Sequence, residues 1–306
     1  MRFENVPESS NVEDRRSGGP PTVRGGNPFG GIRIGGGRLG GGGGLGLGGL
    51  VVVLVVAWLA GINPLQLLSG NVVPQNSYAT PGQTASRPSA AAGPLDSFTR
   101  KVLTTTELCW TDLFQSRLQR PYEKPILVLF RDAVDSACGQ QSSAVGPFYC
   151  PGDFRLYIDL TFLEEMGRTL GAAGDFAQAY VVAHEVGHHV QNLLGQNRKV
   201  AALRGSQVDK NRASVLLELQ ADYYAGVWAH YVDKKLRPQV TLEVGDYEEA
   251  IRAAQAVGDD VLQRRATGRV VPENFTHGTA AQRAKWFRLG FESGDPTAHD
   301  PFVEEK

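Results

Sequence analysis

The run His184-Glu185-Val186-Gly187-His188 has the residue types and spacing for metal-assisted hydrolysis. On a helix, residues four apart lie one turn above the other, so both imidazoles reach a single ion. Glu185 projects partly to the same side, where a carboxylate can hold a water on that ion and take its proton. The surrounding AYVVAHEVGHHV is strongly apolar, and histidine and glutamate buried there need polar partners. A zinc ion supplies them, against the competing reading of a helix with incidental polar residues. Zinc is preferred to other metals on ligand type. His189 points about 100° away round the helix. It is expected to have a structural or surface role and not to share the ion.

A catalytic zinc takes three protein ligands and keeps one position open. No H-x-x-G-x-x-H extension follows His188, where the chain reads HVQNLLGQNRK. The third ligand must come from elsewhere, and the best candidate is Glu218 in ELQAD, on the next long helix. Asp222 lies four residues on, sharing a face near Leu217, Ala221 and Ala225. A carboxylate pair on an apolar face is costly unless it has partners. With Glu218 on zinc, Asp222 can accept the ring N–H of a zinc histidine. The competing reading is a solvated charged face. Further along come Thr276-His277-Gly278 and Arg283. Thr276 can cap the helix that begins near Thr279, and His277 can donate to the oxyanion formed when water attacks a carbonyl. Arg283 can orient Glu218 or bind a substrate carboxylate. Plain capping explains that spacing equally well.

The elements that must position these groups lie between Leu95 and Phe291. Helices are expected over 95–118, 175–194, 211–236, 246–265 and 279–289. Asp175 and Gln178 stand in capping-box spacing at the start of the second, and Gly195 stops it. Strands are expected over 126–130 and 155–160, with SAVGPFY (143–149) as an edge strand, where proline is tolerated. Of the three cysteines, Cys138 and Cys150 flank a short Gly/Ser-rich stretch. They either close a loop as a disulfide, given an oxidising compartment, or remain free thiols. Cys109 reads as a small buried hydrophobe.

The 306 residues carry a formal net charge of −1. No basic stripe interleaved with aromatics occurs, so no nucleic-acid partner is expected. Residues 1–44, with the glycine tract from Gly18 to Gly44, are expected to be a disordered cytoplasmic tail. Leu45–Ile62 is apolar all round, and eighteen helical residues cover about 27 Å, close to the hydrocarbon thickness. It is expected to be a transmembrane helix. Arg2, Arg15, Arg16, Arg24, Arg33 and Arg38 precede it, and only Arg87 follows before Arg100. Positive flanks stay in the cytoplasm, which makes this a single-pass inner-membrane protein with its globular part outside. Residues 63–94 read as a flexible tether, and 95–306 as one catalytic domain.

At these motifs the chain resembles the YpfJ-like neutral zinc metallopeptidase family. The likeness runs nearly end to end: SSNVEDRR, SACG, GPFYCP, YIDLTF, GDFAQAYVVAHEVGHHVQ, ELQAD, AGVWAH, AQAVGDD, GRVVPENFTHGT and FESGDP. The resemblance implies an α+β, zincin-like domain, with a small sheet packed on the HExxH helix and a helical C-terminal half. It implies one zinc on His184, His188 and Glu218, with Glu185 as the base. A more distant likeness is to the membrane-bound heat-shock and prenyl-protein zinc proteases, with HExxH, then E-x-x-A-D, then T-H-P and an Arg six after that His. Here Gly278 replaces the proline. That likeness implies a transition-state role for His277 and an edge strand at SAVGPFY that pairs with an extended substrate. Close family members often carry cysteines where this chain has Tyr223 and His299.

The expected activity is hydrolysis of a peptide or protein substrate by a zinc-activated water. The alternative is a catalytically silent, zinc-stabilised envelope scaffold that binds a partner, against which the intact Glu185 argues. A third reading, a metal hydrolase acting on cell-wall peptides, uses the same residues.

Overall fold

A computed structural model describes residues 1–17 and 93–305. Two short strands open the chain, β1 (Arg2–Phe3) and β2 (Val12–Asp14). Helix α1 (Pro94–Leu113) starts on a proline, which fits a first turn whose N–H has no helical partner. It runs on into a single π-helical stretch, Phe114–Leu118. Strands β3 (Ile126–Phe130), β4 (Ala133–Ser136), β5 (Gly139–Ser142), β6 (Phe148–Cys150) and β7 (Arg155–Asp159) follow. Next come helices α2 (Leu160–Thr169), α3 (Asp175–Leu194), α4 (Gln196–Ala201) and α5 (Gln207–Lys235). After β8 (Val240–Thr241) the chain finishes with α6 (Asp246–Ala256), α7 (Asp259–Thr267), α8 (Ala280–Ser293) and α9 (Pro301–Glu304). The described chain is thus mixed α and β with a helical majority.

One four-stranded sheet runs in the order β2-β3-β7-β6. β2, β3 and β7 are parallel, and β6 closes the sheet antiparallel to β7. β6 therefore lies at an edge. The hairpin β4–β5 is tied to it by a disulfide between Cys138 and Cys150, as spacing suggested, while Cys109 is free and buried. The apolar runs of β3 and β7 are buried and share a core with the inner faces of α1, α3 and α5. Helices α5 and α8 cross backbone against backbone. A Cβ on Gly226 would lie 2.1 Å from the Phe287 carbonyl oxygen, and one on Gly290 would lie 2.0 Å from that of Tyr223.

Several sequence expectations need correction. Residues 1–17 are not a separate disordered tail. β2 pairs with β3, and β1 pairs antiparallel with β8. The physical reason is that Met1 and Val6 enter the core, and Ser9 and Asn11 bond the buried Glu107. Residues 18–44, the Leu45–Ile62 span and the tether up to residue 92 lie outside the described residues. Among the described residues no helix is long and apolar enough to cross a membrane.

Smaller differences follow local chemistry. Ser143–Val145 is a 3-10 turn, and only Phe148–Cys150 forms the edge strand, because Gly146 turns the chain at φ +82°. The helix expected over 246–265 is two helices, broken at Val257–Gly258. Asp175 does not cap α3; its carboxylate instead binds the Met1 α-amine. Thr276 does not cap α8 either. Thr279 does, in a capping box with Gln282. Tyr223 and His299 face each other with ring centroids 5.9 Å apart.

Candidate metal and active site

Helices α3 and α5 bring His184, His188 and Glu218 together. His184 Nε2 lies 3.2 Å from Glu218 Oε2, and His188 Nε2 lies 3.4 Å from Glu218 Oε1. One donor atom from each falls within 4.8 Å of the others. The opposite ring nitrogens are also held. His184 Nδ1 donates to Asp222 Oδ1 at 2.9 Å, and His188 Nδ1 donates to Gln191 Oε1 at 2.9 Å. With Nδ1 donating in each ring, both Nε2 atoms face the Glu218 carboxylate, and loss of the Nε2 proton leaves the tautomer a metal requires. The donor set of two imidazoles and one carboxylate fits zinc with an open fourth position.

Asp222 is fully buried, and its charge is met from three directions. It accepts from His184, from the Tyr180 hydroxyl, and from Arg283, whose Nε reaches Oδ2 at 2.8 Å and whose Nη2 reaches Oδ1 at 3.0 Å. Arg283 is 3% exposed and also lies 3.6 Å from Glu218 Oε2. Of its two expected uses, orienting the carboxylates is the one this packing fits. Burial pulls the His184 pKa down, but the Asp222 charge and hydrogen bond, with Glu218, outweigh it and push it up to about 9. A metal must displace that proton to bind. Burial also works against the Glu218 charge, yet His188 and His184 hold its carboxyl well below the ordinary range.

Glu185 differs from both. Burial pushes its pKa up, and the two histidines offset this only in part. Among the described residues nothing hydrogen-bonds its carboxylate, which lines a cavity of about 610 Å³ together with His184, His188, Glu218, His277 and Arg283. His277 is placed by a device the sequence did not reveal. The backbone N–H groups of Thr276, His277 and Gly278 all donate to Asp259 Oδ2, at 2.7, 2.6 and 3.0 Å. Asp259 Oδ1 lies 3.3 Å from His277 Nδ1. Burial lowers the His277 pKa, but the Asp259 hydrogen bond and the Glu218 charge outweigh it and raise it. This loop needs Gly278, whose φ of +85° is closed to proline.

His189 is apart from this cluster. Its Nε2 donates to the Glu123 carbonyl at 2.6 Å and its Nδ1 meets the Tyr149 hydroxyl at 3.1 Å. Burial drives its pKa down to about 4, so it is a neutral structural histidine.

Gly187 sets the spacing of the cluster. A Cβ there would lie 2.9 Å from the Ala221 carbonyl oxygen and 3.0 Å from Ala221 Cα. Only glycine lets α3 approach α5 closely enough for Glu218 to meet both histidines. Gly187→Ala would gain about 1 kcal/mol of helix propensity but meets backbone, which cannot rotate away. Overpacking of this kind costs about 1–3 kcal/mol, so the clash wins. The expected result is a lower urea midpoint and at least about 10-fold weaker zinc binding by competition with a chelator. Unchanged zinc affinity would show that helix spacing does not set the site.

The comparisons agree with this class of site. Residues 1–302 match the family described as "Putative neutral zinc metallopeptidase", and the chain belongs to that family. It is 47% identical over 306 residues to a protein of Escherichia coli K12 named "Uncharacterized protein YpfJ", covering 99% of each chain. It is 42% identical over 256 residues to "Uncharacterized protein Rv2575" of Mycobacterium tuberculosis H37Rv, covering 80% of this chain and 85% of that protein. No solved structure matches the chain.

Proposed function

We propose that this chain is a membrane-associated zinc peptidase with a zincin-like active site, hydrolysing peptide bonds with Glu185 as general base. The observation that carries the reading is the pairing of a converged His184–His188–Glu218 donor set with an uncommitted Glu185 carboxylate on the same cavity wall. A purely structural zinc has no use for that carboxylate or for an open cavity.

Zinc, when bound, supplies a Lewis acid that polarises a carbonyl and acidifies water. Glu185 takes the water's proton and passes it to the leaving amine. His277, held by Asp259, donates a hydrogen bond to the developing oxyanion. β6 lies at the edge of the sheet, where an extended substrate would pair. Membrane association rests on the apolar run Leu45–Ile62.

The full chain in detergent, loaded with one zinc, is expected to cut a denatured protein. Cutting should stop with 1,10-phenanthroline and return on adding zinc. A fully zinc-loaded chain that cuts no denatured protein or envelope peptide would favour the scaffold reading.

A further inference from the structure

The side chains lining the cavity beside the donor set are of two kinds. One is polar and includes the residues described above. The other is apolar, a wall of Phe162 and Met166 of α2, Val181 of α3, Val257 after α6 and Leu262 of α7. Val181 lies one turn before Glu185 on the same helix face, so the apolar wall adjoins the base. On its far side, a Cβ on Gly146 would touch the Phe162 ring at 3.4 Å, so the ring sits under the loop that leads into β6.

We propose that this wall is the specificity pocket, which takes a large apolar side chain, such as leucine or phenylalanine, on the residue immediately after the cut bond. The inference rests on the peptidase reading. Glu185 must hand its proton to the leaving amine, so the residue bearing that amine lies on the Glu185 side, where the apolar wall begins. Burying a charged side chain there would leave it without a partner.

The test measures binding, so it does not depend on turnover. Zinc-loaded full chain is titrated with two hydroxamates that differ only in the side chain next to the chelating group, isobutyl or carboxymethyl. The isobutyl compound is expected to bind at least about 10-fold tighter. Leu262→Arg should reverse the order while leaving zinc content unchanged. A zinc-loaded chain that binds both compounds equally, or whose preference ignores Leu262→Arg, overturns the pocket. Failure to hold zinc at all would instead sink the peptidase reading itself.

A second, independent observation concerns sidedness. Residues 1–17 are built into the same body as the zinc site. β2 aligns Val12, Glu13 and Asp14 with Leu127, Val128 and Leu129 of β3. Leu127 N donates to Asn11 O at 2.9 Å, and Arg15 N to Leu129 O at 2.8 Å. Arg16 pairs with Asp96, which is 1% exposed. Glu107, 6% exposed, accepts from Ser9 and Asn11 at 2.6 and 2.8 Å. A single membrane crossing between residues 17 and 93 would separate these partners and leave the edge of β3 and buried polar groups unpaired. We infer that the N-terminal strands and the zinc site share one side of the membrane, contrary to the arrangement drawn from the arginine asymmetry.

Single cysteines at exposed Ser10 and Arg204 test this, since Cys109 is buried and Cys138 and Cys150 are paired. Bacterial spheroplasts are treated with a membrane-impermeant maleimide, with lysed cells as control. Both positions should react before lysis, or both only after it. One labelled before lysis and the other only after would overturn the inference. In Glu8→Cys/Ser97→Cys, whose native side chains meet at 2.6 Å, a short thiol cross-linker should join the pair within one chain. No cross-link in folded protein would count equally against it.

Discussion

Replacing Glu185 by glutamine is expected to lower kcat by about 10²–10⁴-fold with zinc content and urea midpoint unchanged. Glutamine keeps the shape of the side chain but cannot take the proton. Its carboxylate makes no hydrogen bond within the described chain and its burial raises its pKa, so no hydrogen bond is lost with its charge. The effect should fall on kcat and not on KM. The check is steady-state hydrolysis of a denatured protein, with zinc measured on the same samples. A variant that loses zinc along with activity would mean that Glu185 serves the metal site and not the chemistry. Full activity would mean that another group moves the proton.

The largest expected loss of stability comes from Arg283→Met. Asp222 is 0% exposed and Arg283 3% exposed, joined by two hydrogen bonds. Removing the guanidinium leaves a buried carboxylate with only His184 and Tyr180. Breaking one partner of a buried pair costs about 3–5 kcal/mol. This exceeds the few tenths expected from any exposed ion pair of the chain, such as Arg168 with Glu165. The urea midpoint of the zinc-free chain measures it. Adding Asp222→Asn should recover part of the loss, because the remaining side chain then carries no charge. A midpoint unchanged by Arg283→Met would mean that the pair is not closed in the folded protein.

Much of the site was legible because its spacing is local. Helix periodicity alone puts His184 and His188 on one face, and Glu218 and Asp222 on another. Gln191 could have been found the same way, three residues after His188, and Tyr180 four before His184. Gly187 also carried a signal, since glycine inside a helix is destabilising and implies a packing reason. Asp259 was not legible. It works only because the break at Gly258 starts a new helix against the 276–278 loop, and no local pattern announces that meeting. β2 was hidden for the same reason. Three residues, Val-Glu-Asp, show no alternation, and their partner strand is more than a hundred residues away. The glycine tract that follows makes the whole N-terminus look uniform, so composition alone suggests disorder from the first residue.

Anomalous scattering at the zinc edge from crystals of the full chain tests the central claim most directly. One strong peak per chain is expected, bonded by Nε2 of His184, Nε2 of His188 and the Glu218 carboxylate, with the ring nitrogens about 2.0–2.1 Å away and Glu185 beside it but unbonded. A peak held by another set of ligands, or a direct bond from Glu185 that closes the site, would contradict it.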